Sequence, residues 1–260
     1  MSGIESSGLS RATVQTMIDA SAGGGSVPTS GTTPDLLALA LGTQRPSGGV
    51  WFPPASTTIT PAGAFPSGTV YHATATQTAD AFGVKSDSVA TATNSCGLDG
   101  YGTICPVTRR DRKPWFLARF KLDVVTTVGW FVGLFKGNLV DHTTYPNYCL
   151  AFTCSSSAGE TTWQLGSRDG ATTSKTDTLV PVTASHEYSL YYQVEGASCD
   201  NVRWAIYDHT SSTAYSGLVT GKANLPALTD TLGPEVSGVN VGVGSHTIYL
   251  ATMPVLVGAL

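Results

Sequence analysis

The pair of segments Glu187–Glu195 (EYSLYYQVE) and Asn201–Asp208 (NVRWAIYD) constrains this chain more than any other feature. In an extended strand Tyr188, Leu190 and Tyr192 share one face, and Val202, Trp204 and Ile206 share one face of the next. The short Gly-containing connection between them predicts a hairpin. A two-stranded ribbon is marginal in water, so its apolar face has to be covered by a second layer.

The same period recurs through the second half of the chain. In Trp115–Leu122 (WFLARFKL), Arg119 and Lys121 oppose Phe120 and Leu122. Val128–Phe135 (VGWFVGLF) is nearly all apolar, the pattern of a central strand buried on both faces. Tyr148–Thr153, Thr161–Leu165, Val236–Val243 and Thr247–Val257 add further strands, and Arg168-Asp169-Gly170 contains a turn dipeptide. Only 12% of residues are charged, while Gly contributes 29 and Pro 14. Exposed helix faces are usually built from Glu and Lys, so this composition disfavours a helical bundle and suits many strands joined by turns. The predicted fold is an all-β antiparallel sandwich.

The order WFLARFKL, VGWFVGLF and TTWQLGSRDG resembles the front half of concanavalin A-like jelly-roll domains found in phage and other virion proteins. The EYSLYYQVE–NVRWAIYD hairpin, Leu225-Pro226, Leu232-Gly233-Pro234-Glu235 and the closing run Ile248–Val257 resemble the back half. The resemblance covers Trp115–Leu260. It implies a jelly roll and a structural role on a virion, such as a capsid decoration, head-fibre or tail protein.

Enzymes and lectins share that fold. Laminarinase-like glycosidases set nucleophile and acid on one strand face with E-x-D-x-x-E. None of Glu5, Glu160, Glu187, Glu195 and Glu235 has an Asp two residues on. Asp141, His142 and Asn147 hold one carboxylate between them, too little for the calcium site of a lectin. G-x-S-x-G, P-loop and H-E-x-x-H motifs are missing, and His72, His142, His186, His209 and His246 are scattered. Asp208-His209 reads as turn chemistry rather than a dyad. The expectation is a chain that is not an enzyme and carries no metal or cofactor.

Residues 1–63 read as an arm for attachment and oligomerisation. Ser10–Asp19 and Thr33–Leu41 are short predicted helices split by Gly/Ser linkers, and such helices cannot bury Leu36, Leu37 and Leu41 on their own. Trp51 and Phe52 are further anchor candidates in a Pro-rich extended stretch. Residues 64–114 read as an irregular connection with one or two strands, one near Thr69–Ala73, and residues 115–260 as the sandwich. Arg109, Arg110, Arg112 and Lys113 read as a solvated linker, and the net charge of −4 gives no reason to expect nucleic acid. No apolar run reaches the length of a membrane span. Met1–Ser10 lacks the basic start and apolar core of a signal peptide, so synthesis in host cytoplasm and reduced cysteines are expected. Cys96 and Cys105 flank a Gly-rich loop and could join under oxidation.

These features lead to a virion structural protein, a homotrimer by analogy with fibres and decorations, contacting the major capsid or other virion proteins. The alternatives are a carbohydrate-binding receptor-recognition module that takes host-surface glycan, with Tyr101, Tyr145, Tyr148 and Trp163 as candidate contacts, and a glycan hydrolase or lyase.

Overall fold

The computed structural model describes residues 108–136 and 148–259, together with 50–52, 70–71, 76–79, 83–88, 90 and 95–99. The early strands are β1 (Val50–Phe52), β2 (Val70–Tyr71), β3 (Thr76–Ala79), β4 (Gly83–Asp87), β5 (Ser95–Asp99) and β6 (Thr108–Arg109). The middle group is β7 (Pro114–Leu122), β8 (Val128–Phe135), β9 (Tyr148–Ser155), β10 (Thr162–Asp169) and β11 (Thr173–Pro181). The last are β12 (Glu187–Glu195), β13 (Asn201–Asp208), β14 (Thr213–Val219), β15 (Thr231–Asn240) and β16 (Thr247–Ala259). All pairings are antiparallel. Sheet A has the order β14-β13-β12-β7-β16-β4-β3 with β1 also on β16, and sheet B the order β11-β10-β9-β8-β15-β5-β2 with β6 also on β15. The fold is an antiparallel jelly-roll sandwich, as the strand pattern predicts.

Alternation sets the core between the sheets. Phe116, Phe120, Tyr188, Leu190, Tyr192 and Trp204 from sheet A meet Trp130, Val132, Phe152, Trp163 and Leu165 from sheet B. Two tyrosines tie the layers together where an unpaired hydroxyl would be costly. Tyr192 donates to the Leu150 carbonyl at 2.7 Å, and Tyr188 donates to that of Pro181 at 3.2 Å. β8 is buried on both faces, because Phe131 and Phe135 on its far side form a second apolar cluster with Cys149, Ala151 and Val239. Gly238 is required by close approach: a Cβ there would lie 2.2 Å from the Trp130 ring.

The sheets reach earlier into the chain than Trp115. Residues 64–114, expected to be an irregular connection with one or two strands, contain β2 to β6, of which β5 and β4 pair with β15 and β16. Their polar sequences hide them: apart from Cys96, which enters the core, backbone pairing with long neighbours holds them. Pro234 falls between the stretches of β15 that pair with β6 and β5, where among the described residues one side of the strand has no ladder to complete. Lys222 closes the edge between the sheets: its buried ammonium donates to the Ser174 carbonyl and hydroxyl at 3.1 and 3.0 Å.

Candidate functional site

The chemistry of this chain collects on the outer face of sheet A, the face turned away from the core. Positions alternate with the core residues of the same strands, so the hairpin that supplies Tyr188, Leu190, Val202 and Ile206 inward presents Glu187, Ser189, Tyr191, Arg203, Ala205 and Tyr207 outward. Ladder register arranges these residues in rows across the strands. One row runs Tyr207–Ser189–Arg119. The next runs Glu187–Lys121–Tyr249–Lys85, and His209 extends it, its backbone N–H donating to the Glu187 carbonyl at 2.8 Å. On the other side lies Ala205–Tyr191–Leu117–Leu256–Trp51.

The rows differ in character. Trp115, Leu117 and Tyr191 form a buried apolar cluster, with the Tyr191 hydroxyl donating to Gln193 Oε1 at 2.7 Å. The Tyr207 and His209 rows are ionic. Arg119 Nη2 lies 2.6 Å from Glu187 Oε1, and Lys85 Nζ lies 2.9 Å from Asp87 Oδ2. Lys121 forms no ion pair among the described residues, and its ammonium sits 5.4 Å from the centroid of the Tyr249 ring.

His209 is the centre of this cluster. Its Nε2 is 2.8 Å from Ser189 Oγ, its Nδ1 is 3.8 Å from Glu187 Oε1, and the Tyr207 ring meets it edge-on at 4.6 Å. Burial, and then the neighbouring Arg119 guanidinium, push its pKa down to about 3. The imidazole is therefore neutral at physiological pH and stands beside a fixed cation.

The sequence-based candidates do not converge on this face. Trp163 is fully buried in the core, edge-on to Phe120 and Tyr188, and is closed to a ligand. Tyr148 is half-buried under Lys136, whose ammonium is 4.5 Å from the ring. Trp51 and Phe52 lie in β1, opposite Leu256 and Val255. Leu36, Leu37, Leu41, Tyr101 and Tyr145 lie outside the described residues, as do Asp141, His142 and Asn147. Asp208 does serve a turn, accepting from the N–H groups of Thr210 and Ser211, and its other oxygen accepts from His186 Nδ1 at 2.7 Å. The basic cluster divides: Arg109 binds Asp111, Arg110 donates to the Cys199 carbonyl at 3.0 Å, and Arg119 and Lys121 belong to the sheet. The Cys96 thiol is free and buried, and donates to the Gly238 carbonyl at 3.6 Å; Cys105 is outside the described residues. Among the described residues no cluster of three or more His, Cys, Asp or Glu is placed to hold a metal.

No protein-family model and no curated protein matches this chain. Solved structures do. A protein of unknown function, SO2946 from Shewanella oneidensis MR-1, is 14% identical, with 89% of this chain and 96% of that one covered at a TM-score of 0.55. The PL-14 alginate lyase from Aplysia kurodai is 5% identical, with 72% and 87% covered at 0.50. Lectin II from Ulex europaeus is 11% identical, with 74% and 92% covered at 0.44. The fold is thus one that a polysaccharide lyase also has.

The lyase overturns the expectation that the chain is not an enzyme. That expectation rested on missing hydrolase carboxylates, and the same sandwich serves an enzyme of another reaction class. Elimination asks for a base and a neutralised acid group rather than an E-x-D-x-x-E strand, so the missing pair does not count against it.

Proposed function

We propose that this chain is a glycan-engaging jelly-roll subunit of a virus particle, and that the outer face of sheet A takes an anionic polysaccharide. The observation that carries the reading is the row His209–Glu187–Lys121–Tyr249–Lys85, flanked by Tyr207 and Arg119. It crosses adjacent strands for about 19 Å at ~4.8 Å per strand, long enough for a short oligosaccharide. Half-buried Tyr249 offers a ring for a sugar face, and Lys121, bound to no carboxylate among the described residues, offers a charge for a uronate or sulfate. A second reading, cleavage by elimination, is supported by His209 beside Arg119: a bound sugar carboxylate would neutralise Arg119 and so lift the imidazole from its low resting pKa toward that of a working base.

Binding of polyuronate, sulfated and neutral polysaccharides by calorimetry separates these readings. Acidic chains are expected to bind, more weakly as salt rises, and Lys121→Ala and Tyr249→Ala each to weaken binding at least tenfold. The ultraviolet absorbance of an unsaturated product reports elimination, which His209→Gln should abolish. Binding without product keeps recognition and discards cleavage. No binding to any acidic chain, or binding unmoved by both substitutions, overturns the proposal.

The particle setting rests on the sequence: a surface with few charges, the strand order of virion jelly rolls, and the leucines Leu36, Leu37 and Leu41 ahead of the sandwich. Particles assembled without the chain should take up the purified protein, and the triple change L36S/L37S/L41S should abolish uptake while sheet content is unchanged. Uptake undiminished by the triple change removes the arm from the proposal.

A further inference from the structure

Several strand cations of this sandwich stand against a carboxylate: Lys136 on Asp230, Lys175 on Glu160 and Arg203 on Glu195. The loop 109–113, between β6 of sheet B and β7 of sheet A, breaks that habit. Arg109, Arg110, Arg112 and Lys113 share it with a single acid, Asp111. Arg109 takes the acid, its Nε donating to Asp111 Oδ1 at 3.0 Å. Among the described residues Arg110, Arg112 and Lys113 form no ion pair.

The loop has a fixed shape. Arg110–Arg112 form a 3-10 turn, closed by the Lys113 N–H on the Arg110 carbonyl at 3.0 Å. The Asp111 N–H donates to the Leu228 carbonyl at 3.2 Å and ties the turn to the body. Lys113 adopts φ 48°, a left-handed backbone that strains a lysine and that the turn bond holds. Arg112 is exposed beside it, and Arg110 is half-buried. Arg110 Nη1 donates to the Cys199 carbonyl at 3.0 Å, while its Nε has no acceptor among the described residues. Burial holds the Arg110 pKa below the ordinary value, and nearby Asp200 favours the charge without bonding it. A guanidinium taken from water is costly until an anion meets it.

Three cations short of negative charge on one fixed turn define the chemistry of their ligand. The planar forks of Arg110 and Arg112 match paired oxygens, and Lys113 adds a point charge. A sulfate ester offers three free oxygens to these groups, where a uronate carboxylate offers two. We infer that the loop 109–113 binds a sulfate ester of the acidic polysaccharide, as a second anchor beside the His209–Lys85 row. The inference rests on the glycan reading and narrows its ligand to a sulfated chain. β7 leads out of the loop from Pro114 to Lys121, ~23 Å at ~3.3 Å per residue, so one long chain reaches both points. The second contact then gains from effective concentration. Phosphodiesters carry similar oxygens, but the net charge of −4 disfavours nucleic acid as the partner.

Calorimetry on the full chain should use a sulfated polysaccharide, a polyuronate of matched length and duplex DNA. The sulfated chain is expected to bind at least about tenfold tighter than the polyuronate, a gain of the size charge-assisted hydrogen bonds supply. Arg112→Ser with Lys113→Asn removes two charges and keeps the turn, because Asn tolerates the left-handed backbone. This variant should lose the tenfold preference and hold the polyuronate within about twofold, with circular dichroism and melting unchanged. Lys121→Ala should weaken both acidic chains alike. Arg112→Glu alone, at an exposed position, carries the same test where the double variant does not fold. Sulfated and uronate chains bound equally, or a preference that the loop variants keep, overturn the inference and leave the glycan reading standing. Neither acidic chain binding overturns the reading and the inference together. DNA bound through the loop more tightly than the sulfated chain overturns the assignment to a glycan.

Discussion

Trp163→Ala is expected to lower the unfolding free energy by about 3–5 kcal/mol, measured as a shift of the urea midpoint at constant slope. Trp163 is fully buried on β10, and its indole meets Phe120 at 6.0 Å and Tyr188 at 5.7 Å, both close to perpendicular. It thereby links sheet B to two strands of sheet A. Alanine would leave a void that these rings cannot close without giving up contacts of their own. The indole N–H finds no acceptor among the described residues, so Trp163→Phe should cost well under half as much, since it retains most of the ring and removes a buried donor. A surface tryptophan stacking on sugar would behave in the opposite way, losing binding with stability unchanged. Stability held by Trp163→Ala together with lost glycan binding would refute the core placement.

The contrast between Trp163 and Tyr249 shows how far periodicity carries. β12 and β13 have the limits read from alternation, because each has a continuous apolar face and the other strand to match it. β11 and β14 have no such signal. The inward positions of β11 are Ser174, Thr176 and Thr178 before Val180, and β14 offers Ala214 and Ser216 outward. Edge strands bury little on their own account, and their partners fix them through backbone bonds. The site followed the same logic. Aromatics beside polar loops were natural sugar contacts by composition, yet Trp163 faces inward. The residues that do gather, Ser189, Tyr207, His209, Lys121 and Tyr249, are the outward alternates of the recognised strands or their immediate continuation. The signal was the parity of the hairpin read on its second face; what sequence lacked was the register, which alone places Lys121 between Glu187 and Tyr249.

His209 should make this fold acid-sensitive in a defined window. In the unfolded chain its imidazole titrates near the ordinary value of about 6.5, whereas in the fold burial and Arg119 hold it down to about 3. Above the unfolded pKa both states are neutral and the residue costs nothing. As pH falls below it the unfolded chain takes up a proton that the folded protein refuses, so stability drops by up to about 1.4 kcal/mol per pH unit. The loss continues until the folded pKa is reached, for a total on the order of 4 kcal/mol. The side chain is 13% exposed, so solvent screens little of this. Asp123 acts with the opposite sign, its carboxyl raised by burial and therefore favoured protonated in the fold, which offsets part of the loss in acid. A difference measurement isolates the histidine. His209→Gln keeps an oxygen that can accept from Ser189 and removes the titration, so urea midpoints of the two proteins should run parallel above pH 7 and diverge steadily below 6, with the variant the more stable in acid. Parallel curves down to pH 4 would show that the imidazole takes its proton in place, and that burial and Arg119 do not hold it down in the fold.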